Sequence, residues 1–309
     1  MNVTRDLVLL GNLLVDDLVF ADGTTRMAEP GGALLHAAFA AALWGARVGI
    51  VAPLGEDYPD TALAQLRSRG VALDGLVPMH RPGVRAWLLY EGRVRRIVHR
   101  LGCPSHEEAS PTPAHIPAAW RSARAFHLAP MPLAGQSALV HAIRSDRDMH
   151  DAFVSLDPHE SLTSATLPQW RALLEQVDAF FPSEDEWALT APAEDPRAAL
   201  RALVGGRLRT IVLKRGTKGG LCHDAHANRT IEWRARAERV VDPTGAGDAF
   251  AMGFVTAYLE LPDPERALSR ARVSASFALQ AWGSEGLAQA LPTDALQRLA
   301  DWTAEESPT

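Results

Sequence analysis

The chain has 309 residues, 47% of them apolar, and a formal net charge of −6. That length suffices for the core of one large domain, and the acidic balance excludes a general affinity for nucleic acid. Its two cysteines, Cys103 and Cys222, exclude a disulfide framework and fit a reducing, cytoplasmic compartment.

The opening stretch MNVTRDLVLLGNLLVDDLVF is apolar but broken by Arg5, Asp6, Asp16 and Asp17, so neither a signal peptide nor a membrane span is expected. From there a short apolar run followed by a helical pattern recurs. Strands are predicted at 7–11, 47–55, 125–130, 152–158, 179–183 and 210–216. Helices are predicted at 33–44, 58–69, 136–145, 165–177, 197–204, 247–260 and 264–281. Pro-containing loops fall at 104–117 and 190–196, and the final AEESPT reads as a frayed tail.

Strands that are continuously apolar and separated by helices predict an α/β fold, a doubly wound, mostly parallel sheet with helices on both faces. One segment breaks the rhythm: VRAWLLYEGRVRRIV (84–98) alternates and pivots on Glu91-Gly92, which predicts a β-hairpin. With extended chain at about 12–30, the stretch 76–102 is expected to form a small β lid on a single domain spanning 1–309. Ligands of open parallel sheets sit beyond the carboxyl ends of the strands. Asp16, Asp17, Asp57, Asp157, Ser183, Glu186, Lys214 and Arg215 all fall at such ends. Taken singly, each is more often structural than functional.

The loop VVDPTGAGDAF (240–250) narrows the chemistry. A Walker A loop requires Gly-Lys-Ser/Thr, and Asp248 stands in place of the lysine. A dinucleotide fingerprint requires a third glycine where Phe250 stands, and belongs in the first βαβ unit. A third reading places Gly245-Ala246-Gly247 at the start of an apolar helix, with backbone N–H groups and the helix dipole turned toward an anion. Asp248 in the first helical turn would repel a resting phosphate, but it suits a general base acting on an attacking hydroxyl. The plainer alternative, an acid that complements the helix dipole, is equally compatible with the spacing alone.

DPTGAGDAF resembles the C-terminal signature of the ribokinase-like (PfkB) carbohydrate kinases, D-T-x-G-A-G-D. Four further segments resemble the family in the same order: GNLLVDD (11–17), PGGALLHAAFAAALWGARVGIVAPLGED (30–57), FFPSEDE (180–186) and VLKRGTKGG (212–220). The resemblance implies a ribokinase-like fold and an ATP- and Mg2+-dependent kinase. Asp248 would be the catalytic base, and the N–H groups of Gly245, Ala246 and Gly247 an anion hole. Asp16 would hold acceptor hydroxyls, with Gly31, Gly32 and His36 beside the acceptor. Lys214, Gly216, Thr217 and Gly219 would line the nucleotide, and Glu186 would order Mg2+ through its waters. A monovalent cation such as K+ would sit at Asp242, Thr244, Ala281 and Gly286.

The chain departs from the family at several positions. His36 replaces an asparagine that reaches the acceptor, and its location favours a substrate role over that of a core histidine. Ser183 replaces the asparagine of Asn-x-x-Glu. His159 stands where a polar amide is common, and Ala290 where some relatives have a serine. HDAH (223–226) has metal-ligand spacing but follows a strand and reads as a turn. RVRR (93–96), with His99 and Arg100, reads as a solvated lid face, or less readily as a recogniser of phosphate or carboxylate. Trp87, Leu88, Leu89 and Tyr90 suit three tasks equally: stacking a nucleobase, packing the lid, or joining two lids in a homodimer.

The reading is a kinase acting on a hydroxyl of a small sugar, a polyol or cyclitol, or a nucleoside. Its competitors are a non-catalytic nucleotide- or sugar-binding member of the fold and a kinase of a phosphorylated or acidic sugar. A nicotinamide-dependent oxidoreductase is disfavoured by the missing fingerprint.

Overall fold

The computed structural model describes residues 4–91, 94–188 and 195–306. The first strand, β1 (Leu7–Leu10), shows why the sheet has two covered faces. Leu7 and Leu9 enter one hydrophobic core while Val8 and Leu10 enter another, so no side of the strand is left for water. A parallel strand with this pattern must lie inside a sandwich of helices.

β1 is followed by β2 (Leu14–Val19), β3 (Thr25–Gly31), α1 (Ala33–Leu43), β4 (Val48–Leu54), α2 (Asp60–Ser68) and β5 (Ala72–Pro78). Next come β6 (Arg85–Glu91), β7 (Val94–His99), β8 (Ala125–Leu128), α3 (Leu133–Ser145), β9 (Phe153–Leu156), α4 (Leu167–Leu174) and β10 (Ala179–Phe180). The chain continues through α5 (Pro196–Leu203), β11 (Thr210–Lys214), β12 (Gly220–Asp224) and β13 (Arg229–Trp233). It closes with α6 (Ala246–Glu260), α7 (Pro264–Leu279), α8 (Glu285–Gln289) and α9 (Pro292–Glu306).

The main sheet has nine strands in the order β13-β12-β11-β10-β9-β8-β1-β4-β5. It is parallel from β11 to β5, and an antiparallel ribbon, β12–β13, finishes one edge. From β1 the chain builds outward through β4 and β5, then returns to β8 and builds the other way. The strand order therefore reverses between β1 and β8, and a crevice is expected beyond their carboxyl ends. A separate sheet has four strands in the order β3-β2-β6-β7, with β2 and β6 parallel. Among the described residues no helix is long and apolar enough to cross a membrane.

Several elements differ from expectation. Leu76–Pro78 pairs with β4 in the main sheet rather than joining the small one. The strands β5 and β12 and the helices α8 and α9 were not anticipated. The stretch TIEWRARAERVV (230–241), which its pattern predicts to be extended up to the 240–250 loop, is a strand only as far as Trp233. The supposed tail is helical through Glu306, because Trp302 is buried beneath the guanidinium groups of Arg236 and Arg272. Ion pairs Arg236–Glu305 (2.5 Å) and Arg272–Glu306 (2.6 Å) reinforce that last turn. Gly92 and Arg93 of the hairpin, residues 190–194 of the predicted loop and 307–309 of the tail lie outside the described residues.

Asp17 ties the small sheet together at a register shift in β2. Its fully buried carboxylate receives two hydrogen bonds from Arg85 of β6, at 2.7 Å each, and one from the Ala28 N–H of β3 at 2.8 Å. The Arg85 bonds hold the Asp17 pKa below the usual carboxylate range. The stabilisation is therefore complete above the ordinary aspartate pKa and is lost as pH falls through the lowered one. Asp17→Ala strands a cation and a backbone donor, and is expected to cost about 3 kcal/mol. Hydrogen exchange should show protection falling in β2, β3 and β6 while the nine-stranded sheet keeps its own.

Candidate active site

Two helices aim their N-termini at one point. Each starts from a glycine with positive φ, Gly32 (100°) before α1 and Gly245 (75°) before α6. A side chain is disfavoured at such dihedrals, and here there is also no room for one. A Cβ on Gly245 would collide with the imidazole of His36, one turn into α1. His36 is buried; its Nδ1 lies 3.2 Å from the Gly32 carbonyl, and its Nε2 is buried without a hydrogen-bond partner. The turn Gly245-Ala246-Gly247 thus lies against His36, and both helix dipoles favour an anion there.

Asp248 occupies the first turn of α6. Shielding from water raises its pKa; His36 and Lys214 oppose the rise, and Glu186 adds to it. A carboxylate in this setting is a better proton acceptor than an exposed aspartate.

Beside His36 a small cavity opens between the two sheets. Asp16, Arg26, Glu29 and Leu88 of the small sheet face His36, Asp242, Thr244 and Trp282 of the body across it. A Cβ on Gly31 would collide with the Asp16 carboxylate, so that carboxylate lies directly against the backbone before α1. Of the four residues the sequence assigned to the acceptor, Asp16 and His36 line the cavity, while Gly31, against the Asp16 carboxylate, and Gly32 precede α1. Arg26, Glu29 and Trp282 were missed, since no local motif marks them.

Asp242 is buried and knits the floor. It accepts from Thr244 N–H (2.9 Å) and from Gly283 N–H (3.0 Å), and the hydroxyl of Tyr90 approaches it from β6 at 3.5 Å. Tyr90 stacks on Phe20 (5.4 Å between centroids), which in turn meets the edge of Trp282 (4.7 Å). Arg26 adds ion pairs to Glu29 (2.9 Å) and to Glu285 (2.5 Å), so the small sheet rests on the loop between α7 and α8. Of the positions matched to a monovalent cation, Asp242 and Thr244 lie together and Ala281 lies in that loop. Gly286 instead lies within α8, where its carbonyl accepts the Ala290 N–H at 3.1 Å; Gly283 is the glycine in contact with Asp242.

After β10, Ser183 and Glu186 cap each other. The Glu186 carboxylate accepts from Ser183 N–H at 2.8 Å, and the Ser183 hydroxyl accepts from Glu186 N–H at 3.4 Å. A serine at position 183 thus still holds the glutamate in place. Lys214 ends β11 with its ammonium 2.5 Å from Asp157, and a Cβ on Gly247 would lie 3.4 Å from it. Gly216 and Thr217 form an exposed turn just beyond, closed by Gly219 N–H donating to the Gly216 carbonyl at 3.1 Å.

Two further candidates have other partners. His223 lies in β12 against the Thr230 hydroxyl (3.0 Å), and Asp224 caps the turn that follows. His159 stacks on His106, whose ring also meets His99 edge-on, both at 5.1 Å.

A model of the pfkB family of carbohydrate kinases matches residues 12–291. The chain is 32% identical over 280 residues to a cytidine kinase of Thermococcus kodakarensis, covering 90% of this chain and 97% of that one. It is 28% identical to a 2-dehydro-3-deoxygluconokinase of Thermoproteus tenax, with 93% and 91% covered. A crystal structure of an E. coli protein assigned as ribokinase II, in complex with ATP and Mg2+, matches the fold with a TM-score of 0.75 at 20% identity, over 97% of this chain and all of that one. The chain belongs to the pfkB family of carbohydrate kinases. It is an ATP-dependent phosphotransferase.

The fit of His36 to Gly245 gives a direct test. Gly245→Ala combines an unfavourable φ with the collision and should cost about 1–3 kcal/mol of stability. Thermal unfolding of Gly245→Ala and of Gly245→Ala/His36→Ala should show part of that loss recovered in the double variant. Phosphoryl transfer should be recovered in neither.

Proposed function

We propose that the chain transfers the γ-phosphoryl group of ATP to a hydroxyl of a nucleoside or pentose-sized acceptor. The observation that carries this reading is Asp248, shielded and one residue beyond Gly245-Ala246-Gly247, with the Asp16–His36 cavity alongside. Asp16 holds and orients the acceptor hydroxyls, Asp248 takes the proton from the attacking one, and the N–H groups of residues 245–247 stabilise the charge on the transferred group. Binding energy is directed to positioning, which is most of what phosphoryl transfer requires of a protein.

The donor set fits Mg2+. The carboxylates Glu186 and Asp248 influence one another electrostatically, with Lys214 the cation common to them. Hard oxygen ligands and surplus negative charge suit an ion that keeps several waters; Glu186 would hold it through those waters, offsetting charge on the phosphates. Gly216, Thr217 and Gly219 would line the nucleotide. K+ would sit against Asp242 and the 281–283 loop, and two lids joined in a homodimer would use the exposed Trp87 and Ile97.

The identity to a cytidine kinase supports a nucleoside acceptor, and Trp282 supplies an aromatic surface at the cavity. Arg26 in the same cavity favours an acidic acceptor instead, as does the gluconokinase relative. Glu29 and Glu285 already hold that guanidinium, so the nucleoside is preferred.

ATP consumption should be measured with cytidine, other nucleosides, ribose, deoxyribose and 2-dehydro-3-deoxygluconate. Turnover fastest with a nucleoside is expected; activity confined to the acidic sugar would reverse the preference. Asp248→Asn should lower kcat by roughly 1,000-fold or more while nucleotide affinity stays within a few-fold. Comparable activity in that variant would remove Asp248 as the base. Because the raised pKa belongs to a group that must be ionised to act, kcat/KM should fall on the acid side, beginning above the pH at which an exposed aspartate titrates.

A further inference from the structure

Asp157 has no part in the roles assigned above, yet it sits at the end of β9 with a fully buried carboxylate. One oxygen lies 2.5 Å from the Lys214 ammonium, reached across the intervening strand β10. The other is buried without a hydrogen-bond partner and faces His127 Nε2 at 3.9 Å, itself buried and without a partner. His127 is fixed from behind by the Ser155 hydroxyl, 2.9 Å from its Nδ1. Burial drives the His127 pKa down to about 3, so the ring is neutral and does not compete with Lys214 for the carboxylate.

Such an arrangement is a poor way to gain stability. An apolar pair of similar volume would fill the space without desolvating a charge or orphaning an oxygen. Its value lies in where it leaves the ammonium. Lys214 is approached by three carboxylates: Asp157 from β9, Glu186 from the loop after β10, and Asp248 from α6. Drawn onto Asp248, the ammonium would neutralise the base and obstruct the hydroxyl. Held by Asp157, it stays beside Gly247, at the turn where charge develops.

We propose that Asp157 is a positioning residue that anchors the Lys214 ammonium beside the Gly245–Gly247 turn, where it offsets charge on the transferred phosphoryl group, and keeps it off Asp248. This rests on the kinase reading and assigns the electrostatics of that same site. Stabilisation of developing charge by a preorganised donor commonly contributes about 100-fold to rate.

The test uses the full chain, ATP and the best acceptor of the wild type. Asp157→Asn should lower kcat by about 10- to 100-fold with the acceptor KM little changed. A buried ammonium deprived of its carboxylate has a lower pKa. The variant's kcat should therefore fall as pH rises through that value, a limb the wild type lacks in the same range. Asp157→Glu keeps the charge and moves the ammonium; it should lose part of kcat and retain the wild-type pH profile. Lys214→Met and the double variant Asp157→Asn/Lys214→Met should have equal kcat, since Asp157 acts only through Lys214.

Wild-type kcat and pH profile in Asp157→Asn would overturn the proposal, as would single effects that multiply in the double variant. If Asp157→Asn does not fold, Asp157→Glu decides: kcat equal to wild type overturns the role. Failure of the wild type to phosphorylate any acceptor would overturn the kinase reading, and this role with it. A wild type that phosphorylates its acceptor while the Asp157 variants keep wild-type rates overturns this role alone, which distinguishes the two.

Discussion

The contact between the His36 ring and the α-carbon of Gly245 is the constraint on which the site depends. It sets how closely the N-terminus of α6 approaches that of α1, and so where the N–H groups of residues 245–247 point. Neither helix could settle this alone, since each ends in four unpaired N–H groups and a dipole indifferent to its neighbour. The apolar surface that α1 and α6 share in one core supplies the force, and a missing Cβ supplies the space. Everything that handles charge, from Asp248 to Lys214, is placed relative to that junction.

Around the junction the sheet distributes tasks by strand end. β1 leads to the cavity through Asp16, β9 and β11 contribute Asp157 and Lys214, and the turn after β10 contributes Glu186. Because the strands are parallel, all of these ends lie on one edge, and the strand-order reversal between β1 and β8 opens a gap there. The small sheet lies over the same edge, kept in one piece by Asp17 and Arg85. Polar residues gathered on such an edge need no long-range coordination beyond the twist of the sheet.

Much of this was legible in the sequence because it depends on short-range pattern. Apolar runs such as LVLLG announce buried strands, and VVDPTGAGDAF announces a loop entering a helix. What was hidden depends on contacts between distant residues. α9 looked like a fraying tail since its EE ending is polar; Arg236 and Arg272, far away in the chain, make it a helix by covering Trp302. Arg26 joins the cavity through a glutamate 259 positions away. Asp157 and Lys214 each read as one more polar residue at a strand end, and their spacing of 57 residues carries no periodic signal. The replacement of the family's asparagine by Ser183 was legible as a departure, but not what it does to Glu186. It leaves the capping of Glu186 intact, because a hydroxyl accepts the same backbone N–H.

Asp242 sits where two demands meet. Its carboxylate staples the start of the 244–247 turn to the 283 backbone, and Tyr90 touches it from the small sheet. Phe20 against Trp282 and Arg26 against Glu285 tie the same sheet to the same stretch of the body. The small sheet and the turn before α6 therefore share one set of fastenings, so a substitution that loosens one loosens the other.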